Sequence, residues 1–149
     1  LKDRYRFFWV FNQELKPLWE GAGRLGHFPY PFDADGDKRE EVYISNVVKC
    51  RPPENRAPLP NEVATCIPFL HQQIASIQPK VIVCLGSVAF QALLQTDQKI
   101  TRLRGQWQEH QGIKVMPTYH PAYLLRNPEM KRAVWEDMKK VLDFLKSLK

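Results

Sequence analysis

Four histidines occur in the chain, at positions 27, 71, 110 and 120. His27 lies in a stretch rich in glycine and proline, His71 in a helical stretch and His110 beside a turn. His120 alone falls at the end of a short apolar strand, in the run TYHP at 118–121. An imidazole at a strand end can donate a hydrogen bond to a developing oxyanion or move a proton. A satisfied structural histidine is the alternative reading. Asn46 stands near the end of a second strand-like run, 41–48 (EVYISNVV). Its amide both donates and accepts, so it can read the edge of a planar base; otherwise it satisfies loop backbone. Cys50 and Cys66 are sixteen positions apart and neither belongs to a CxxC pair. Two thiolates do not complete a four-ligand metal site. Cys84 lies inside an apolar run and reads as a small buried residue.

The basic residues inform by location. Lys49, Arg51 and Arg56 lie in or beside a stiff loop, 52–60, that holds four prolines. Arg102 and Arg104 precede Gly105, and Arg126 follows His120. Each can face phosphates from the strand-end side. The Gly86-Ser87 turn offers backbone N–H groups at a helix start, which favour an anion. Lys131, Arg132, Lys139 and Lys140 read as the solvated face of a last helix. The chain has 22 Lys and Arg against 16 Asp and Glu, a formal charge of +6. That favours nucleic acid or an anionic membrane without naming either.

Elements must bring these residues together. The run 4–11 (RYRFFWVF) reads as a buried strand or a helix start, and 12–18 as a short helix broken at Pro17. The stretch 33–37 (DADGD) is a solvated turn; Lys38 and Ile44 stand where a calcium loop needs Gly and Glu. The run 41–48 is a strand. A helix starts at Pro60 or Asn61, with Asn61 a plausible N-cap, and runs to about 77. Val63, Ile67, Leu70 and Ile74 recur there at helical spacing, and Pro68 allows a kink. The run 80–85 (KVIVCL) is a short buried parallel strand, followed by a tight turn and a helix at 88–94. A loop and edge element spans 103–109, a strand 113–117, and a last helix 130–146 with Val134, Met138, Leu142 and Leu145 on one stripe. Alternating strands and helices predict an α/β domain with a mostly parallel central sheet and helices on both faces. Ligands bind such sheets beyond the carboxyl ends of the strands. Here those ends are 46–50, 86–87 and 118–120, which places Asn46, Gly86-Ser87 and His120 on one edge.

The segments VYISNVVKCRPPENR (42–56), PKVIVCLGSVAFQALL (79–94), LRG (103–105) and PTYHPAYLLRNP (117–128) closely resemble the family 4 uracil-DNA glycosylases, the iron–sulfur branch of that superfamily. The ordered match spans about 38–140. The resemblance implies the three-layer fold of that superfamily in one domain, 1–149, and hydrolysis of the N-glycosidic bond of uracil in DNA, a step of base excision repair. It gives Asn46 the uracil ring and His120 the uracil O2. It places Tyr123, Leu124 and Leu125, in a loop running from 121 to 126, at the gap left by the flipped base. Arg51, Arg56, Gly86, Ser87, Arg104 and Arg126 would contact DNA. It makes Cys50 and Cys66 two of four ligands of a [4Fe-4S] cluster.

Two departures accompany the match. The family's first cysteine pair is absent, so the ligand set is incomplete. The first motif, a strand leading into G-E-x-P-G, has no intact copy in 1–32. The nearest string, WEGAG at 19–23, keeps only the Glu and the last Gly, so Glu20 is not counted as a site residue. The front portion is therefore atypical or missing. The expectation is an incomplete or altered version of a protein whose front is absent, rather than a natural relative with a replaced front end. Deletion of a first strand would expose apolar sheet surface. Phe7 to Val10, as a central strand beside 80–85, would cover it.

Expected partners are uracil-containing DNA and no membrane, with the protein a monomer. No run approaches the ~20 apolar residues needed to span a bilayer. No signal-peptide pattern is present, and Leu1 suggests that the chain begins inside a longer one. Three cysteines with no disulfide-scaffold spacing suit an intracellular, cytoplasmic setting, and the resemblance to a DNA-repair family implies association with the nucleoid. The competing class is a non-catalytic DNA-binding module on the same fold. A nucleotide-binding α/β protein is weaker, because no glycine-rich phosphate loop follows a strand.

Overall fold

The computed structural model describes residues 7–11, 42–47 and 59–148. The apolar run Val81–Leu85 is buried at every position and sets the layers. Val81, Val83 and Leu85 point to one face of the sheet and Ile82 and Cys84 to the other. A strand buried on both faces needs helices on both, and that is the arrangement found.

The elements in order are β1 (Phe7–Phe11), β2 (Val42–Asn46), α1 (Pro60–Ile77), β3 (Val81–Leu85), α2 (Ser87–Leu94), α3 (Ile100–Leu103), β4 (Gln108–His110), β5 (Ile113–Thr118), α4 (Pro121–Arg126), a 3-10 turn (Pro128–Met130) and α5 (Lys131–Ser147). The sheet order is β2-β1-β3-β5-β4. All neighbours are parallel except the edge pair β4–β5. The mostly parallel α/β sheet expected from the sequence is thus observed.

Within the ambiguous run at 4–11, Phe7–Phe11 resolves as an interior strand of the sheet, between β2 and β3. Phe7 pairs with Val42 on one side and Val81 on the other, and Val10 pairs with Ser45 and Cys84. It occupies the position that would otherwise leave β3 with an open apolar edge. The stretches 12–18, 19–23 and 33–37 lie outside the described residues.

On one face, α5 brings Val134, Met138, Val141, Leu142 and Leu145 onto Val81, Val83, Leu85 and Met116, with Leu124 of α4 joining them. On the other, Leu70, Ile74 and Ile77 of α1 and Ala89, Phe90 and Leu93 of α2 pack on Ile82, Cys84 and Val115. The register Ile82↔Val115 and Val83↔Met116 places neighbours on the same face.

Three boundaries differ from expectation. Leu59, not Asn61, is the N-cap of α1. Pro60 occupies the first helical position, where its missing N–H costs nothing. The Glu62 carboxylate accepts from the Leu59 N–H at 2.8 Å. Pro68 is exposed and α1 runs on through it. The loop and edge element expected at 103–109 begins on the last residue of a helical turn, Ile100–Leu103, and its edge strand runs Gln108–His110. Residues 121–126 form helix α4 and not a loop, starting at Pro121, which is preorganised for a first helical position. Among the described residues no helix is long and apolar enough to cross a membrane.

Candidate active site

Parallel pairing fixes where the strands end. Phe11 is opposite Asn46, and Leu85 is opposite Thr118. Asn46, Gly86 and the 119–120 segment therefore leave the sheet on one edge, as expected.

Gly86 closes β3 with a left-handed φ of 93°. Its N–H donates to the Thr118 carbonyl at 2.9 Å, which ties the β3 turn to the end of β5. That bond removes Gly86 from the N–H groups available to an anion. The first-turn N–H groups that follow it, beginning at Ser87, carry the positive end of α2. A side chain at Gly86 would meet His120, with Cβ 3.1 Å from His120 Cβ. The turn and the histidine are packed backbone to side chain.

His120 is half-buried at the start of α4, and its carbonyl accepts from the Tyr123 N–H at 3.0 Å. Burial, and then the charge of Arg126, pull its pKa from 6.5 down to about 4. The imidazole is neutral at pH 7. A neutral ring donates one N–H and accepts at the other nitrogen. It can stabilise a developing oxyanion without having to be protonated first.

Beneath this edge lies a polar cluster that reading the sequence missed. Asp137 of α5 is 1% exposed. Its Oδ2 accepts from Thr118 Oγ1 at 2.8 Å, and Arg104 Nε lies 3.4 Å from the same oxygen. Lys140 Nζ donates to the Gly105 carbonyl at 2.7 Å, and Gly105 N–H donates to the Pro117 carbonyl at 3.0 Å. Burial raises the Asp137 pKa, while Thr118, Arg104 and Lys140 oppose that rise. The cluster clamps the 104–105 turn and α5 to the last residues of β5, directly before His120. A signal was present in the sequence. Asp137 stands between Val134 and Val141 on the apolar stripe of the last helix, where a carboxylate needs a partner.

The cluster changes two expectations. Arg104 is turned inward to Asp137 with its guanidinium 5.8 Å from the Tyr119 ring, and its side chain is 24% exposed. It serves the turn rather than standing as a free phosphate ligand. Lys140 belongs to the Gly105 carbonyl rather than to a purely solvated face.

Helix α4 sorts the three residues assigned to the base gap. Leu124 is 1% exposed and packs in the core with Val134 and Met138; it cannot enter DNA. Tyr123 stacks on Tyr119 at 4.6 Å between ring centroids. Leu125 is 53% exposed, a large apolar side chain facing solvent. A helical turn sends neighbours to different sides, so only Leu125 of the two leucines is presented outward. Arg126 is exposed one position on.

For Asn46 the structure places the backbone at the end of β2. Arg51, Arg56 and Cys50 lie outside the described residues. Cys66 is partly exposed on α1. Cys84 is buried in β3, and burial pushes its thiol pKa far up, so it is no thiolate ligand. With Cys84 excluded, Cys50 and Cys66 are the thiols left among the chain's three cysteines, and a cluster of four irons takes four. Among the described residues no group of three or more His, Cys, Asp or Glu side chains could hold a metal ion. The residues present do not by themselves fit the cluster.

The profile of the Uracil DNA glycosylase superfamily matches residues 6–139. The match extends forward of 38 and takes in β1. The chain is similar to the type-4 uracil-DNA glycosylase of Thermotoga maritima, 50% identical over 117 residues, covering 74% of this chain and 60% of that protein. It is 41% identical to the type-4 uracil-DNA glycosylase of Archaeoglobus fulgidus over 140 residues, 87% of this chain and 69% of that protein. It is 34% identical to the type-5 uracil-DNA glycosylase of Pyrobaculum aerophilum over 103 residues, 67% of this chain and 45% of that protein. Among the type-4 relatives, the match takes in from 52% to 69% of each relative's length.

Proposed function

The chain belongs to the uracil-DNA glycosylase superfamily, in its type-4 branch, and from that membership we propose that it hydrolyses the N-glycosidic bond of uracil in DNA. The observation that carries the reading is His120: a neutral imidazole at the carboxyl end of a parallel sheet, packed against the Gly86 turn.

The bond between uracil N1 and the sugar C1′ breaks with its electron pair going to the base. Negative charge then spreads to uracil O2. A neutral His120 N–H donates to that oxygen and strengthens its bond as charge grows, which is selective for the transition state. The sugar becomes cation-like, a water oxygen bonds to C1′, and the proton that water loses passes to solvent, from which the departing uracil anion is protonated. The Asn46 amide donates to a ring carbonyl and accepts from the ring N–H, a pattern that favours uracil over cytosine. Tyr123, Leu125 and Arg126 meet the DNA, with Leu125 filling the gap as the base leaves the stack, a displacement costing a few kcal/mol. Ser87, Arg51 and Arg56 contact the phosphate backbone. No described residue is assigned to positioning the water.

Cys50 and Cys66 would hold part of an iron–sulfur cluster, if further thiolates join them. No step of base release is routed through it. The protein acts inside the cell on DNA, as a monomer.

The test is incubation of the protein with a uracil-containing oligonucleotide, followed by strand scission at abasic sites. Scission at the uracil position is expected. Retained DNA binding with no base release would overturn the enzymatic reading and leave a DNA-binding module.

A further inference from the structure

His71 on α1 and His110 at the end of β4 face each other across the helix–sheet boundary. Their ring centroids are 5.1 Å apart with the planes 50° to each other. The Nε2 atoms of both are buried, and neither has a hydrogen-bond partner among the described residues. A buried nitrogen with no hydrogen-bond partner is unfavourable, and each of these two neighbouring rings carries one.

We propose that His71 and His110 form a two-histidine site for a divalent transition-metal cation of the zinc class, bridging α1 to the edge strand. The spacing suits that use. With metal–nitrogen bonds of about 2.1 Å and a tetrahedral angle, two imidazoles sharing one ion have centroids about 5.3 Å apart. Borderline cations such as Zn2+ and Ni2+ prefer imidazole nitrogen. A metal takes imidazole in its neutral form. Water would complete the coordination.

The site is separate from the strand-end edge. His110 pairs with Ile113 at the amino end of β5, whereas His120 follows its carboxyl end. β4 is also the strand farthest from β2 in the sheet order. A cation at this pole would brace the edge strand against α1, the helix that carries Cys66.

The experiment is Zn2+ uptake by the unmodified chain, measured by competition with a chromophoric chelator, beside His71→Gln and His110→Gln. Thiol binding contributes equally to all three proteins, so the difference reads the histidine pair. Each substitution is expected to weaken one equivalent of zinc by at least about tenfold, the loss that removing even an outer partner produces at metal sites. In a second measurement on the unmodified chain, substoichiometric Ni2+ is expected to broaden the imidazole NMR signals of His71 and His110 before those of His27 and His120. Equal zinc uptake in all three proteins, or broadening that begins at His27 or His120, overturns the proposal.

Discussion

A Cβ placed on Gly86 would lie 3.1 Å from His120 Cβ, and the glycine holds φ at 93°. Two costs therefore fall on Gly86→Ala. An L side chain is strained at that backbone conformation, φ 93° with ψ 167°, by roughly 1–3 kcal/mol, and the added methyl presses on the histidine. The variant is expected to lose about that much stability in urea and to release uracil more slowly under single-turnover conditions. Unchanged release would show that the Gly86 turn does not set the position of His120.

His120→Ala and Asn46→Ala remove the groups assigned to the leaving base. Loss of one oxyanion donor slows turnover by about 100-fold or more. Each substitution is expected to reduce base release further than it weakens binding to uracil-containing DNA. Parallel losses in binding and in turnover would argue against both roles.

Asp137 is buried against Thr118 and Arg104. Asp137→Ala would strand the Thr118 hydroxyl and leave Arg104 facing a void. Breaking a buried pair costs about 3–5 kcal/mol, and the partial exposure of Arg104 reduces this toward about 2–3 kcal/mol. Urea unfolding measures it; a loss under about 1 kcal/mol would mean that the turn is held by other contacts.

The strand ends were legible because their chemistry is local. A β-branched run ending at Asn46, an apolar run ending at Gly86 and a third ending before His120 each carry their own punctuation. Strand β1 was legible only as one option, since FFWVF has no alternation to exclude a helix; its place between β2 and β3 is decided by pairing across distant segments. The inward turn of Arg104 needed Asp137, thirty-three positions later, and no local rule joins them. Leu124 and Leu125 read alike until α4 assigns one to the core and the other to solvent.

The pKa of His120, pulled from 6.5 to about 4 by burial first and Arg126 second, fixes two pH dependences. Between pH 6.5 and 4 the unfolded chain takes up a proton at this residue and the folded chain does not. The group's contribution to stability is therefore full above pH 6.5 and is lost as pH falls toward 4. The acid limb of base release is expected near pH 4, because the neutral donor persists to that point. Arg126→Ala should move the limb upward. An acid limb near 6.5 in the unmodified protein would contradict the buried, neutral histidine.

Leu124 and Leu125 offer the sharpest contrast on the DNA side. Leu124→Ala opens a cavity in the core beside Val134 and Met138 and is expected to cost about 2–5 kcal/mol of stability. Leu125→Ala removes an exposed side chain, so stability should change by no more than about 0.5 kcal/mol. Its effect should fall on the substrate. In a duplex the departing base leaves a gap that an apolar wedge fills; in a single strand there is no stack of that kind to repair. Leu125→Ala is therefore expected to slow uracil release from duplex DNA more than from single-stranded DNA. Equal slowing on the two substrates would place Leu125 in general DNA contact and remove it from the wedge, even with the fold intact.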